Sequence, residues 1–272
     1  MTDTTHPAPG DPDNHLLDLP RGRLEVQVAG EGHAIVLIPS LGRGQEDFDE
    51  IAPALVTGGY RLLRPEARGI GRSAPLHDTA TLHDMAADIA AVIARFAGGP
   101  ALVAGHAAGN WVARMVGHDH PDLVQGVAML AAVTGTDVDP EISRAITSSF
   151  DLSLPDAERL SHLKRAYFAP GHDAAVWLTG WHPAVARAQR AARAATAGRA
   201  WLRAAETKPL LYLAAAEDAI APPPSEAEVR SALGHLARRV IVERAGHALL
   251  PEQPAAVAAA LIAFARDIWA EG

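Results

Sequence analysis

Leu102-Val103-Ala104-Gly105-His106-Ala107-Ala108-Gly109-Asn110 carries a short apolar run that ends at one glycine, with a second glycine following closely. Ala101 to Ala104 has the character of a buried strand, while Trp111, Val112, Met115 and Val116 recur at the spacing of a helix face. Strand, sharp turn and helix are therefore read in succession. A turn this tight holds its central residue in a strained backbone conformation with the side chain pushed out above the sheet, and only small neighbours avoid collision. Gly105 and Gly109 supply that room. The pattern is G-x-S-x-G, a nucleophile elbow, with Ala107 at the serine position. By itself G-x-x-x-G is a weak signal that any glycine-rich turn between strand and helix satisfies, so the weight falls on its surroundings.

Outward from the elbow, strand and helix patterns alternate. Arg23 to Val28 alternates in polarity as an edge strand does, and Ala34 to Ile38 is a continuous apolar run of the kind buried on both faces. An amphipathic segment near Phe48 to Leu55 and a strand near Tyr60 to Leu63 follow. Leu82, Met85, Ile89, Val92, Ile93 and Phe96 share one helical face behind a capping Thr81. After the elbow come a strand at Val127 to Ala131, further strands at Pro209 to Ala214 and Arg239 to Val242, and a closing helix from about Pro254 to Trp269. This order predicts an α/β fold with a mostly parallel, doubly wound sheet. The alternation fails between Thr136 and Thr207, where two charged amphipathic stretches, Asp156 to Tyr167 and Pro183 to Arg203, are separated by Pro170, Gly171 and Gly180.

Composition narrows the function classes. A chain of 272 residues with 49% hydrophobic content can bury a sizeable core, and its net charge of −8 opposes a polyphosphate partner, so nucleic-acid binding is not expected. The absence of cysteine removes disulfides, thiol catalysis and thiolate metal sites. His118-Asp119-His120 lacks a fuller ligand array, and no phosphate-cradling glycine loop is present, so neither a metal nor a nucleotide cofactor is expected. Met1 to Asn14 is polar and proline-containing, which reads as part of a flexible tail over residues 1–20 without a secretory h-region. No apolar run is long enough for a membrane span, and the cytoplasm is the expected location.

The chemistry-bearing residues follow strand ends. Pro39-Ser40-Leu41-Gly42 comes after the Ala34 to Ile38 strand; in acyl-transfer sites of this layout a backbone amide of such a loop and the amide after the nucleophile hold the oxyanion, which assigns Leu41 and Ala108. Asp218, beyond the Pro209 to Ala214 strand, can orient a histidine, although an isolated Asp there also suits a helix cap. Asp137 is the fallback acid. His247 follows a strand and Gly246, and the order elbow, acid, histidine is that of a Ser-Asp-His triad.

With these residues in place, the chain resembles the α/β-hydrolase superfamily, in its small esterase, lactonase and peroxidase-like branch. The resemblance runs from about Leu24 to Trp269 and includes the turn Arg68-Gly69-Ile70-Gly71-Arg72-Ser73. It implies a core of residues 21–135 and 208–272 and a helical lid over 136–207. The chain departs from the family pattern at Pro39-Ser40, where His-Gly is usual, at Glu66, where Asp is common, and at Ala107. A methyl group cannot attack a carbonyl. Three explanations compete: a deliberate Ser-to-Ala replacement in a serine hydrolase, which would allow unreacted substrate to be held, a natural non-catalytic small-molecule binder on the same scaffold, or a chemistry that needs no serine. The first is preferred, because Asp218, His247 and both oxyanion positions remain around a single missing oxygen. The expected substrate is an ester or lactone of a hydrophobic small molecule. Six of the 13 aromatic residues, Phe150, Tyr167, Phe168, Trp177, Trp181 and Trp201, lie in the lid. Ser40, His106, Trp177, Trp181 and His182 are the expected substrate contacts.

Overall fold

A computed structural model describes residues 12–133 and 138–270. Its elements in chain order are β1 (Asp13–Leu17), β2 (Leu24–Ala29), β3 (His33–Ile38), α1 (Ala52–Thr57), β4 (Tyr60–Pro65), α2 (Leu82–Phe96), β5 (Ala101–His106), α3 (Gly109–Asp119) and β6 (Val124–Leu130). There follow α4 (Pro140–Ser149), α5 (Asp156–Ala166), α6 (Pro183–Ala195), β7 (Leu210–Ala215), α7 (Glu226–Leu233), β8 (Ala237–Val242), α8 (Leu249–Glu252) and α9 (Pro254–Ala270). The sheet order is β1-β2-β4-β3-β5-β6-β7-β8, with β1 and β2 antiparallel to their neighbours and every other pair parallel. The expected mostly parallel, helix-flanked sheet is therefore the fold.

Period-two alternation divides each central strand between two cores. Ala34, Val36 and Ile38 of β3, Ala101 and Val103 of β5, and Leu210, Tyr212 and Ala214 of β7 face the layer containing α2, α3 and α7. Ile35, Leu37, Leu102, Ala104, Leu211 and Leu213 face the layer containing α1 and α9. Burial on both faces explains the unbroken apolar runs. Parallel pairing then brings the carboxyl ends of β3, β5, β6, β7 and β8 to one edge, where open α/β sheets collect ligands. Among the described residues no helix is long and apolar enough to cross a membrane, and no group of three or more His, Asp or Glu is arranged to hold a metal ion.

Several boundaries differ from expectation. Asp13–Leu17 is not tail but an edge strand, paired residue for residue with Leu24–Val28, because the backbone groups on the outer side of β2 offer a ladder to any extended segment beside them. The stretch Pro183 to Arg203 is not one helix. It breaks after Ala195, where the Thr196 hydroxyl accepts the Leu82 amide at 2.9 Å and donates to the Ala192 carbonyl at 2.7 Å, and Gly198 adopts φ +75°. A separate 3₁₀ segment, Ala200–Glu206, follows. Between β6 and β7 the chain leaves the sheet for α4, α5 and α6, and the segments joining these helices carry Phe150, Tyr167, Phe168, Trp177 and Trp181 into a third cluster with Leu163, Ile220 and Ala248. Asp137 lies outside the described residues.

Candidate active site

The β5–α3 turn is built by backbone touching backbone. A Cβ on Gly105 would lie 2.4 Å from the carbonyl carbon and oxygen of Gly109, and one on Gly109 would lie 2.4 Å from the Ile38 carbonyl oxygen. Between them Ala107 is held at φ +44°, a left-handed conformation that costs a residue with a Cβ about 1–2 kcal/mol. The surrounding bonds impose it. Ala107 donates its amide to the Leu130 carbonyl at 2.8 Å, and its own carbonyl accepts the Asn110 amide at 3.1 Å and the Asn110 side-chain amide. Asn110 is in turn oriented by Arg114, whose guanidinium donates to Oδ1 at 2.5 Å.

Asp218 and His247 meet at the same edge. His247 Nδ1 lies 2.9 Å and 3.2 Å from the two carboxylate oxygens of Asp218, which also accepts the amides of Ile220 and Ala221 at 2.8 Å each. An ionised carboxylate only accepts, so the proton sits on Nδ1 and Nε2 keeps the lone pair of a base. Behind this pair, fully buried His106 donates its Nε2 proton to the His247 carbonyl at 2.8 Å. Burial, and then the proximity of His247, push His106 down to about 3, so it is neutral. Glu252 fixes the histidine loop from the other side, accepting the amides of Gly246 and Ala169 at 2.7 Å each, and burial raises its pKa.

A cavity of about 150 Å³ opens over the turn. Ser40, Leu41, Ala107, Ala108 and His247 form its reactive end, and Trp111, Ile146, Phe150, Tyr167, Trp181 and Ile220 enclose an apolar body. Among the described residues the amides of Leu41 and Ala108 donate to no acceptor, which leaves two N–H groups available beside the Ala107 methyl. The loop that carries Leu41 is pinned on both sides. The Gly42 amide donates to Gln189 Oε1 and the Gly42 carbonyl accepts the His182 amide, each at 2.8 Å.

Of the expected contacts, Ser40 and Trp181 reach the cavity wall, whereas His106, Trp177 and His182 do not. His106 supports His247 from below, and His182 acts through its backbone. Trp177 packs edge-on to Tyr167, Phe168 and Trp181 and receives the Arg43 guanidinium 4.7 Å from its ring centre. Sequence reasoning passed over Arg43, Asp47, Gln189 and Glu252, which hold the site's loops in place. Arg43 and Asp47 are buried as an i,i+4 ion pair, with burial still pushing Asp47 upward against the pull of Arg43. Their spacing on the chain was the available signal.

Comparison with known proteins bears on the family and the fold. The sequence profile of the Alpha/beta hydrolase family matches residues 35–260. The chain belongs to that family. Among solved structures, a Mycobacterium tuberculosis H37Rv protein assigned as a non-heme bromoperoxidase, BpoC, is 25% identical with a TM-score of 0.74, over 90% of this chain and 96% of its own. An esterase from Thermogutta terrifontis with malate bound is 20% identical with a TM-score of 0.73, over 94% and 99%. The thioesterase domain from the curacin biosynthetic pathway is 19% identical with a TM-score of 0.70, over 93% and 99%, and these last two bear on the fold alone. No curated protein matches the sequence of this α/β hydrolase.

Proposed function

We propose that this α/β hydrolase is built to cleave an ester or lactone of a hydrophobic small molecule through an acyl-enzyme, and that Ala107 stands where the nucleophilic serine of that reaction belongs. The observation that carries the proposal is that a carboxylate-braced imidazole and the residues bearing two undonated amides line one cavity with Ala107. A protein selected only to hold a ligand gains nothing from a buried acid–base pair.

With serine at 107, His247 Nε2 takes the hydroxyl proton as Oγ attacks the carbonyl carbon. The amides of Leu41 and Ala108 receive the charge that develops on the carbonyl oxygen. Protonated His247 gives its proton to the leaving oxygen, and the acyl group remains on residue 107. Water, deprotonated by His247, then releases the acid. With alanine, none of these steps begins, and the cavity retains its ligand unreacted; loss of such a serine costs about 10⁴ to 10⁶ in turnover.

The test is Ala107→Ser. It should turn over aryl esters or lactones and label with a fluorophosphonate. A folded Ala107→Ser protein that is inert to both, while the alanine chain binds a ligand tightly and saturably, would support the binder reading instead.

A further inference from the structure

A second depression, of about 670 Å³, lies beside the cavity and shares Trp111 and Val133 with it. Arg114, Arg193 and Arg199 line it together with Trp201, and no Asp or Glu is among its described lining residues. In a chain of net charge −8 this is uneven: from Ala174 to Ala205 the sequence carries five arginines and no acidic residue. Arg193 and Arg199 pair with no carboxylate among the described residues. Arg114 is almost wholly buried, yet its acceptors are neutral: Asn110 Oδ1 at 2.5 Å, the Leu202 carbonyl at 3.3 Å and the Asn110 carbonyl at 3.5 Å.

Among the described residues the guanidinium groups of Arg193 and Arg199 donate to no acceptor, whereas each nitrogen of Arg114 already donates once. The guanidinium carbons of Arg114 and Arg193 lie 5.0 Å and 4.9 Å from the ring centre of Trp201, and Arg193 is 6.0 Å from that of Trp111. Stacking engages the face of a guanidinium, whereas its N–H groups radiate in the plane and match two oxygens of one anion. Burial, and then the Arg193 charge, hold Arg114 down to about 9, a repulsion that an anion between the two would relieve.

We infer that this groove is the second half of the substrate site and takes an anionic group, carboxylate or phosphate, borne on an aromatic ring that passes Trp111 while the apolar acyl part fills the cavity above Ala107. The inference rests on the ester reading of that cavity for the identity of the acyl part, and on the arginine groove for the anion.

Calorimetric titration of the alanine chain tests it. Phenyl butyrate is compared with 4-carboxyphenyl butyrate, 4-phosphonooxyphenyl butyrate and phenyl phosphate alone, at low and high salt. One or both anionic esters should bind about tenfold or more tighter than the neutral one, as charge-assisted hydrogen bonds require, and the advantage should shrink with salt. Which of the two gains more names the anion. In the double variant Arg193→Gln, Arg199→Gln the affinity ratio should fall to near one; Arg114 is left in place because it braces Asn110 and the elbow. Equal affinities for the three esters, or an advantage that survives the double variant, overturns the inference, as does failure of every compound to bind. Binding of phenyl phosphate, lost in the double variant, without binding of phenyl butyrate would leave the groove standing and remove the ester reading.

Discussion

A methyl group placed on Gly105 should both destabilise the protein and misplace its elbow. The new Cβ would lie 2.4 Å from the Gly109 carbonyl carbon and oxygen and 2.5 Å from the Asn110 amide nitrogen, all of them backbone atoms at the start of α3. Carbon contacts settle near 3.5 Å, so the first turn of α3 must retreat by about 1 Å. No side chain can swing aside to absorb this. Overpacking of that kind costs about 1–3 kcal/mol, and a rigid receiving surface puts Gly105→Ala at about 3 kcal/mol. For a chain of this size that lowers the melting temperature by about 6 °C. Gly99→Ala is the control: nothing lies within 4 Å of its Cβ position, so its change should stay within about 0.5 kcal/mol. Thermal melts of the two variants give the first readout. Ester turnover in an Ala107→Ser background gives the second, since a displacement of about 1 Å between nucleophile and base costs about 10²-fold in rate. A Gly105→Ala protein that melts within about 1 °C of its parent and keeps full Ala107→Ser activity would refute the close-packing argument for the elbow.

In the same serine background, Asp218→Asn should lower kcat by about 10⁴, because an amide does not enforce the Nδ1–H tautomer of His247; a steady-state assay reads this directly. Glu66 is pushed up to about 7, chiefly by burial, while the amides of Ala67 and Gln45 pull it down. Its folded pKa is raised, so the stability it contributes is full below the unfolded value of 4.5 and is lost as pH rises through about 7. Glu66→Gln keeps an acceptor at Oε1 and cannot ionise, so denaturant titration should find it up to about 3 kcal/mol more stable than its parent at about pH 8 and equal to it at about pH 4. Trp181→Ala removes a ring from the cavity wall and from edge-on contacts with Phe150, Tyr167 and Trp177. It should cost about 3–5 kcal/mol in unfolding experiments and shift acyl preference in the Ala107→Ser enzyme toward longer chains.

What could be read from the chain depended on whether the signal was local. Strands buried on both faces announce themselves as apolar runs, and α2 shows one apolar face behind Thr81, whose amide and hydroxyl both reach the Asp84 carboxylate. The elbow, Asp218 and His247 were readable because each follows a strand in a fixed order. The loop supports were not, because they join positions far apart: Gln189 to Gly42, Glu252 to Ala169, His106 to the His247 carbonyl. An apolar pattern could not tell Trp181, which faces the cavity, from Trp177, which packs behind it. β1 was missed because an edge strand needs no buried face, and α7 although Ser225 and Glu228 form a capping box that its sequence displays.

Nothing that holds His247 passes through residue 107. Its ring is gripped by Asp218 and its carbonyl by His106, so the proton-transfer apparatus stands whether or not a hydroxyl is present. Alanine and serine codons can differ at one base. On the proposed reading, a single change of that kind at residue 107 separates a ligand-holding protein from a turning-over one, with no other part of the scaffold needing to change.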